Sequence, residues 1–454
     1  MPKSRFPITV FGLIIFFLIL VVAALKFEFF KPEVRIAPDV GRVGTEKTIT
    51  ITAKDRLSGL REIEVTLLQG GKKVEVARQS FPRGGLLLRG IIKSHSTPVT
   101  LRPLASGLVN GEAVLRVSVR DYSWWGWFSG NRRIIDKKVT IDSRPPDVYA
   151  LSTAHNINLG GSGLVVYQTE GDVPVSGVFV GQKFYRGYPK PEGPKGVYVA
   201  YFALPWDATV ADAPGRADVP LYLAARDEAG NTARVSFTYR IKTRRFRTDK
   251  IALSPAFLET KMPELMQHYP DLKGNYEEVF VQVNHKIRVE NDRKVAEICS
   301  RSEAGPLWTG AFLRMQNAAP MGLFADQRTY TYNGQEIDRA VHLGIDLASN
   351  ERAPIQAANA GKIVFTGYLG IYGNTVIMDH GQGIFSLYAH LSSINVAPGQ
   401  MVEKGMVLGC SGATGLAGGD HLHFSMLVGG TFINPVEWWD AHWIKDNVLL
   451  KLSN

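Results

Sequence analysis

Short runs of period two, separated by turns rich in glycine and aspartate, constrain this chain most. Lys47-Thr48-Ile49-Thr50-Ile51-Thr52-Ala53 alternates polar and apolar side chains, as do Glu62-Ile63-Glu64-Val65-Thr66-Leu67 and Ala113-Val114-Leu115-Arg116-Val117-Ser118-Val119. Alternate side chains of an extended chain share a face, so each run reads as a half-buried strand. Turns such as Asp55-Arg56-Leu57-Ser58-Gly59 lie between them. Evenly spaced short strands point to a β-sandwich over residues 32–142. Asp142-Ser143-Arg144-Pro145-Pro146-Asp147 then reads as a linker. A second β-rich segment is expected over 147–241, with an exposed loop at 189–196. The 45 glycines and 24 prolines favour turns over long helices. A chain of 454 residues exceeds one ordinary core, and its length suggests about three domains.

The N-terminus departs from this pattern. Residues 7–25 carry no charge and are mostly Ile, Leu, Val and Phe. As a helix they would span about 28 Å, close to the hydrocarbon thickness of a bilayer. Lys3 and Arg5 precede them, which leaves a cytoplasmic tail over residues 1–6 and exports the rest. Val21-Val22-Ala23-Ala24-Leu25 offers no small-x-small cleavage site, so an uncleaved single-pass anchor over 7–25 is expected. That makes the chain a single-pass membrane protein with its bulk exported.

Apolar content of 45% and charged content of 21% are those of a globular protein. The net charge of +10 suits anionic lipid or an acidic wall polymer. The absence of any aromatic-basic RNA motif or helix-turn-helix pattern argues against nucleic acid. Cys299 and Cys410, the two cysteines, exclude a disulfide framework. Two unrelated buried thiols are expected, one long-range disulfide being the alternative. Trp124-Trp125-Gly126-Trp127-Phe128 reads as aromatic packing at the end of the sandwich or against lipid, with sugar stacking as the second reading. The basic joint at 242–247 reads as a solvated linker.

A helical connector is expected over 248–302. Ser254 can cap a helix with Pro255 at its first position, Met262-Pro263 restarts a turn, and 284–300 forms a second helix. From about residue 306 strands return, at 361–365, 374–379, 384–390, 406–409 and 421–428. No long helix interrupts them, so the sheet should be antiparallel.

This last segment carries the chemistry. Asp420-His421-Leu422-His423-Phe424 puts two imidazoles on one face of a strand, and His342-Leu343-Gly344-Ile345-Asp346 adds an imidazole and a carboxylate. Catalytic zinc takes three protein ligands and leaves a position for water. His342, Asp346 and one of His421 or His423 supply that set. There is no His-Glu-x-x-His, so the proton acceptor and oxyanion stabiliser must come from the remaining histidines, His390 among them.

The ordered motifs His342-x-Gly344-x-Asp346, Tyr388-Ala389-His390-Leu391, Gly409 to Gly415, and His421-Leu422-His423-Phe424 resemble the LytM/lysostaphin family of zinc peptidoglycan endopeptidases. The resemblance covers roughly residues 320–440 and implies a metallopeptidase domain over 306–440. It implies one Zn2+ per chain held by His342, Asp346 and His423, with His390 and His421 catalytic. Asn374 corresponds to a family position near the substrate cleft. Asp420 and Ser425 depart from the family, which often has Pro and Glu there. The Lys54–Leu60 stretch and the turn Asp227-Glu228-Ala229-Gly230-Asn231 resemble bacterial immunoglobulin-like wall domains. The expected whole is mainly β: a transmembrane helix, two β-sandwich-like segments, a short helical connector and an antiparallel metallopeptidase sheet. The implied activity is hydrolysis of peptide bonds in peptidoglycan cross-links or stem peptides, with other wall proteins as partners of the β domains. Some relatives of this fold are scaffolds that activate other wall hydrolases, but they generally lack the zinc ligands.

Overall fold

In a computed structural model of the chain, residues 6–84, 89–208 and 219–453 are described. The protein is mainly β, with few helices. It divides into two compact units: residues 1–146 with 226–232, and residues 147–225 with 233–454.

The period-two runs of the first unit form two sheets. Lys47–Lys54 pairs antiparallel with Glu33–Ala37 on one edge and Ser94–Leu101 on the other. A five-stranded sheet is built around Leu60–Gln69 and Gly111–Asp121. Ile49, Ile51, Val65, Leu67, Val99, Leu115 and Val117 meet in one core between them. Trp127 is 96% exposed beyond the end of Gly111–Asp121, while Phe27 and Phe29 pack against Trp124 and Trp125.

The expected anchor lies in a helix, Phe6–Lys26, whose side chains are described for residues 10–23. Among the described residues no helix is long and apolar enough to cross a membrane. Most of the expected cytoplasmic tail, residues 1–5, lies outside the described residues.

The second unit holds the second β-rich segment, the connector and the C-terminal sheet on one continuous core. Val165 and Phe202, Met262 and Phe280, and Ile377 and Leu427 all belong to it. Polar ties reinforce the apolar ones. Glu437 accepts hydrogen bonds from Asn158 and Ser162, and Lys451 donates to the Leu164 carbonyl.

Thr248–Ala252, at the start of the expected helical connector, is instead a strand parallel to Gln327–Tyr332, and the helix after it begins as its sequence signals. Ser254 accepts from the Phe257 N–H, with Pro255 opening the helix Pro255–His268. Pro263 does not interrupt it; buried Met262 and Leu265 hold the helix across the missing N–H. The second helix starts earlier than expected, at a capping box of Asn275 and Glu278. It runs through Tyr276–Gln282, a π turn over Val283–Ile287, and Arg288–Ile298.

The C-terminal sheet has eight strands. Its spatial order is Ala319–Gly322, Ile345–Ala348, Leu422–Val428, Ile384–Ala389, Asn374–Asp379, Gly361–Tyr368 and Met401–Val402, with Thr431–Ile433 also on Leu422–Val428. These pairings are antiparallel. Val407–Cys410 lies instead in a small sheet with Pro354–Gln356 and Ser393–Ile394. Both cysteines are free, Cys299 buried and Cys410 half-buried.

Candidate metal centre and catalytic cleft

Strand register assembles the site. His423 lies on Leu422–Val428, opposite Asp346 on one neighbouring strand and Ala389 on the other. His390 follows Ala389 at φ 63°, an unusual backbone for a non-glycine residue. His342 stands just before Ile345–Ala348, and His421 just before Leu422. Gly344 is needed between them, because a Cβ there would lie 2.5 Å from His423 Nε2.

Three ligand atoms converge. His342 Nε2 is 2.9 Å from Asp346 Oδ1 and 2.9 Å from His423 Nδ1, and His423 Nδ1 is 3.0 Å from Asp346 Oδ1. The far nitrogen of each ring is already committed. His342 Nδ1–H donates to the Leu323 carbonyl at 2.9 Å. The Ser425 hydroxyl donates to the Leu343 carbonyl, so its oxygen accepts from His423 Nε2–H at 3.0 Å. Those contacts leave His342 Nε2 and His423 Nδ1 as the nitrogens that can turn a lone pair to a metal. Three electron-rich atoms facing one another, two nitrogens and one oxygen, fit the donor set of a catalytic zinc site, and the two distal contacts fix the ligating tautomers.

Burial works against the Asp346 carboxylate, but His342, His421 and His423 hold it well below the usual range. Arg328 Nη2 donates to its other oxygen at 2.8 Å. Burial pushes the His423 imidazolium down to about 4 and drives His390 well below its ordinary value.

His390 and His421 stand beside the triad, their ring centroids 4.8 Å apart. His390 Nδ1–H donates to the Thr414 carbonyl and His421 Nδ1–H to the Gly419 carbonyl, both at 2.8 Å. His390 thus keeps Nε2 for other work, while His421 Nε2 lies 3.5 Å from Asp346 Oδ1. The structure brings all five sequence-identified histidine and aspartate side chains to one cleft of about 450 Å³. Ser254, Phe257 and Arg288 of the connector form part of its wall.

Asn374 is not among the residues that line this cleft. Its side-chain amide donates to the Leu391 carbonyl and its N–H to Thr414 Oγ1, so it braces the loop behind His390. Asp420 is likewise a brace, accepting from the Ser411 hydroxyl and the Arg352 N–H. Arg328 is a residue that sequence reasoning missed, since in Gln327–Tyr332 it reads as one more outward strand position. The role of Ser425 had a readable signal: on a strand it shares a face with His423, two residues before it.

Residues 340–435 match the model of Peptidase family M23. The DD-carboxypeptidase/endopeptidase Mpg of Neisseria meningitidis serogroup B is 43% identical over 96 residues, covering 21% of this chain and 22% of that protein. The peptidoglycan DD-endopeptidase ShyA of Vibrio cholerae is 37% identical over 98 residues, covering 22% of this chain and 23% of that one. The chain thus spans about a fifth of the length of these curated relatives. A crystal structure of a putative peptidase M23 from Pseudomonas aeruginosa aligns at 23% identity and a TM-score of 0.38, covering 62% of this chain and 93% of that one.

Proposed function

We propose, from a C-terminal region that is a peptidase M23 domain of the LytM/lysostaphin type, that this chain is a membrane-anchored zinc metalloendopeptidase that hydrolyses peptide bonds of peptidoglycan. The observation that carries this reading is the convergence of His342 Nε2, His423 Nδ1 and Asp346 Oδ1, with both distal ring nitrogens donating to oxygen. Those three residues would hold the metal. When bound, zinc acidifies water and polarises the scissile carbonyl.

The chain's own groups do the rest. His390, kept neutral by burial and oriented by the Thr414 carbonyl, presents Nε2 as a proton acceptor for attacking water. His421, held by the Gly419 carbonyl, presents Nε2 towards the oxygen on which charge develops. Arg328 donates to Asp346 Oδ2 and orients the carboxylate. Ser254, Phe257 and Arg288 narrow the approach for substrate.

The substrate class rests on the relatives named peptidoglycan DD-endopeptidases and on the net charge of +10, which suits an acidic wall polymer. Anchoring rests on the uncharged run at residues 7–25, within which Phe11, Phe17 and Ile19 are exposed. On this reading the helix lies in the bacterial inner membrane and the chain beyond it in the periplasm. The full chain loaded with zinc should release soluble peptides from isolated sacculi, and the His423→Ala variant none. Equal release by that variant, or none by the zinc-loaded wild type, would sink the assignment. Alkaline carbonate extraction tests the anchor separately: the chain should stay in the membrane pellet.

A further inference from the structure

Three carboxylates of the first unit take no part in this chemistry. Glu28 follows the N-terminal helix, Asp55 follows the strand Lys47–Lys54, and Asp121 ends Gly111–Asp121. They are 2%, 6% and 0% exposed. One oxygen from each lies within 4.8 Å of the others.

Hydrogen bonds satisfy only part of this cluster. Glu28 Oε2 accepts from the Ser58 N–H at 2.9 Å, and Asp55 Oδ2 accepts from the Gly59 N–H and the Ser58 hydroxyl. Asp121 Oδ1 accepts from the N–H groups of Ser123 and Asn131, and Oδ2 from Asn131 Nδ2. Glu28 Oε1 and Asp55 Oδ1 are out of water and accept from no group among the described residues. A buried carboxylate oxygen with no partner is costly, and three facing anions repel one another. The nearby basic residue Arg56 does not relieve them, since it pairs outward with Glu33. Burial together with Glu28 and Asp121 pushes the Asp55 carboxyl up to about 6.

We infer that Glu28, Asp55 and Asp121 bind a calcium ion. Their donors are oxygen alone, which suits a hard cation rather than zinc. One oxygen from each carboxylate lies within 4.8 Å of the others, so a single cation can be in reach of all three. Magnesium needs about 2.1 Å bonds and retains most of its waters, for which this dry cage is poorly suited. One calcium would offset two of the three negative charges and give the orphaned oxygens a partner. It would also tie three separate segments at the root of the aromatic loop. The Glu28 carbonyl already accepts from the Ser123 hydroxyl and Asn131 Nδ2, which flank Trp125 to Phe128.

The test is calorimetric titration of CaCl2 into the zinc-saturated full chain in detergent. One calcium per chain should bind to the wild type and to His423→Ala. Binding should weaken at least tenfold in Glu28→Gln and in Asp121→Asn. Should one acidic variant misfold, the other is read instead, and calcium should raise the melting temperature of the wild type in any case. No binding to the wild type at millimolar calcium overturns the inference. So does binding unchanged in both acidic variants, or binding lost with His423→Ala. Magnesium binding as tightly as calcium would overturn the choice of ion.

Discussion

Among the described residues two buried triads bring electron-rich atoms face to face, and they differ in charge. His342, Asp346 and His423 bring one carboxylate and two imidazoles, and Arg328 already answers one oxygen of that carboxylate. Glu28, Asp55 and Asp121 bring three carboxylates, relieved among the described residues by neutral donors. The first set is nitrogen-rich and close to neutral, which suits a borderline cation that must keep an open position. The second is oxygen-only and strongly anionic, which suits a hard cation with a structural role. The chemistry of the donors separates them.

The sharpest way to break this comparison is to remove one carboxylate from the first set. Asp346→Ala should lower hydrolysis of sacculi by about 10³-fold or more, the order expected when several kcal/mol of metal assistance is lost. Zinc content should fall with it while calcium binding persists. If calcium binding vanished as well, the two triads would not be independent sites. Next in size is His390→Ala. It should keep zinc, because His390 lies outside the three converging atoms, yet lose about 10²- to 10⁴-fold in kcat as a proton acceptor is removed. Loss of zinc in that variant would show that ligand and proton acceptor had been wrongly divided.

Glu437 sharpens the contrast differently, as a buried acid that needs no cation. Its carboxylate takes hydrogen bonds from Asn158 Nδ2, the Ser162 N–H and the Ser162 hydroxyl, and a Cβ on Gly161 would lie against it. Burial pushes its carboxyl up from 4.5 to about 7. Between those values the folded chain keeps a proton that the unfolded chain has released. Stability is therefore full below about 4.5 and is lost as the pH rises through about 7, by at most ~3 kcal/mol. Thermal melts of the second unit should show that slope, and Glu437→Gln should flatten it. An unchanged slope in the variant would mean that other groups carry the pH dependence.

The two triads also differ in how far they were legible. His342 and Asp346 are four residues apart, and His421 and His423 two, so strand periodicity and motif order are enough to expose them. Glu28, Asp55 and Asp121 come from three segments that only the folded sheets bring together, and each alone reads as an ordinary turn acid. The sandwich strands were legible because Ile49 and Ile51 alternate with threonines. The shared core of the second unit was not, because Phe202, Met262 and Leu427 are apolar residues whose partners no local pattern names. The uninterrupted helix across Pro263 shows tertiary burial of Met262 and Leu265 overriding a local breaker.

Ser425 joins these strands of argument. By sequence it is a departure from the family, where an acidic residue is common, and so a candidate for altered substrate fit. In the structure its hydroxyl is committed to neighbours inside the site: it accepts from His423 Nε2–H and donates to the Leu343 carbonyl. Its work is to fix which nitrogen of His423 is free for the metal. Ser425→Ala should therefore weaken zinc binding by about 10- to 100-fold, the usual cost of losing such a partner, while kcat at saturating zinc changes little. Thr, which keeps the hydroxyl, should restore affinity. A variant with normal zinc affinity but altered preference among muropeptides would return Ser425 to the substrate side of the site.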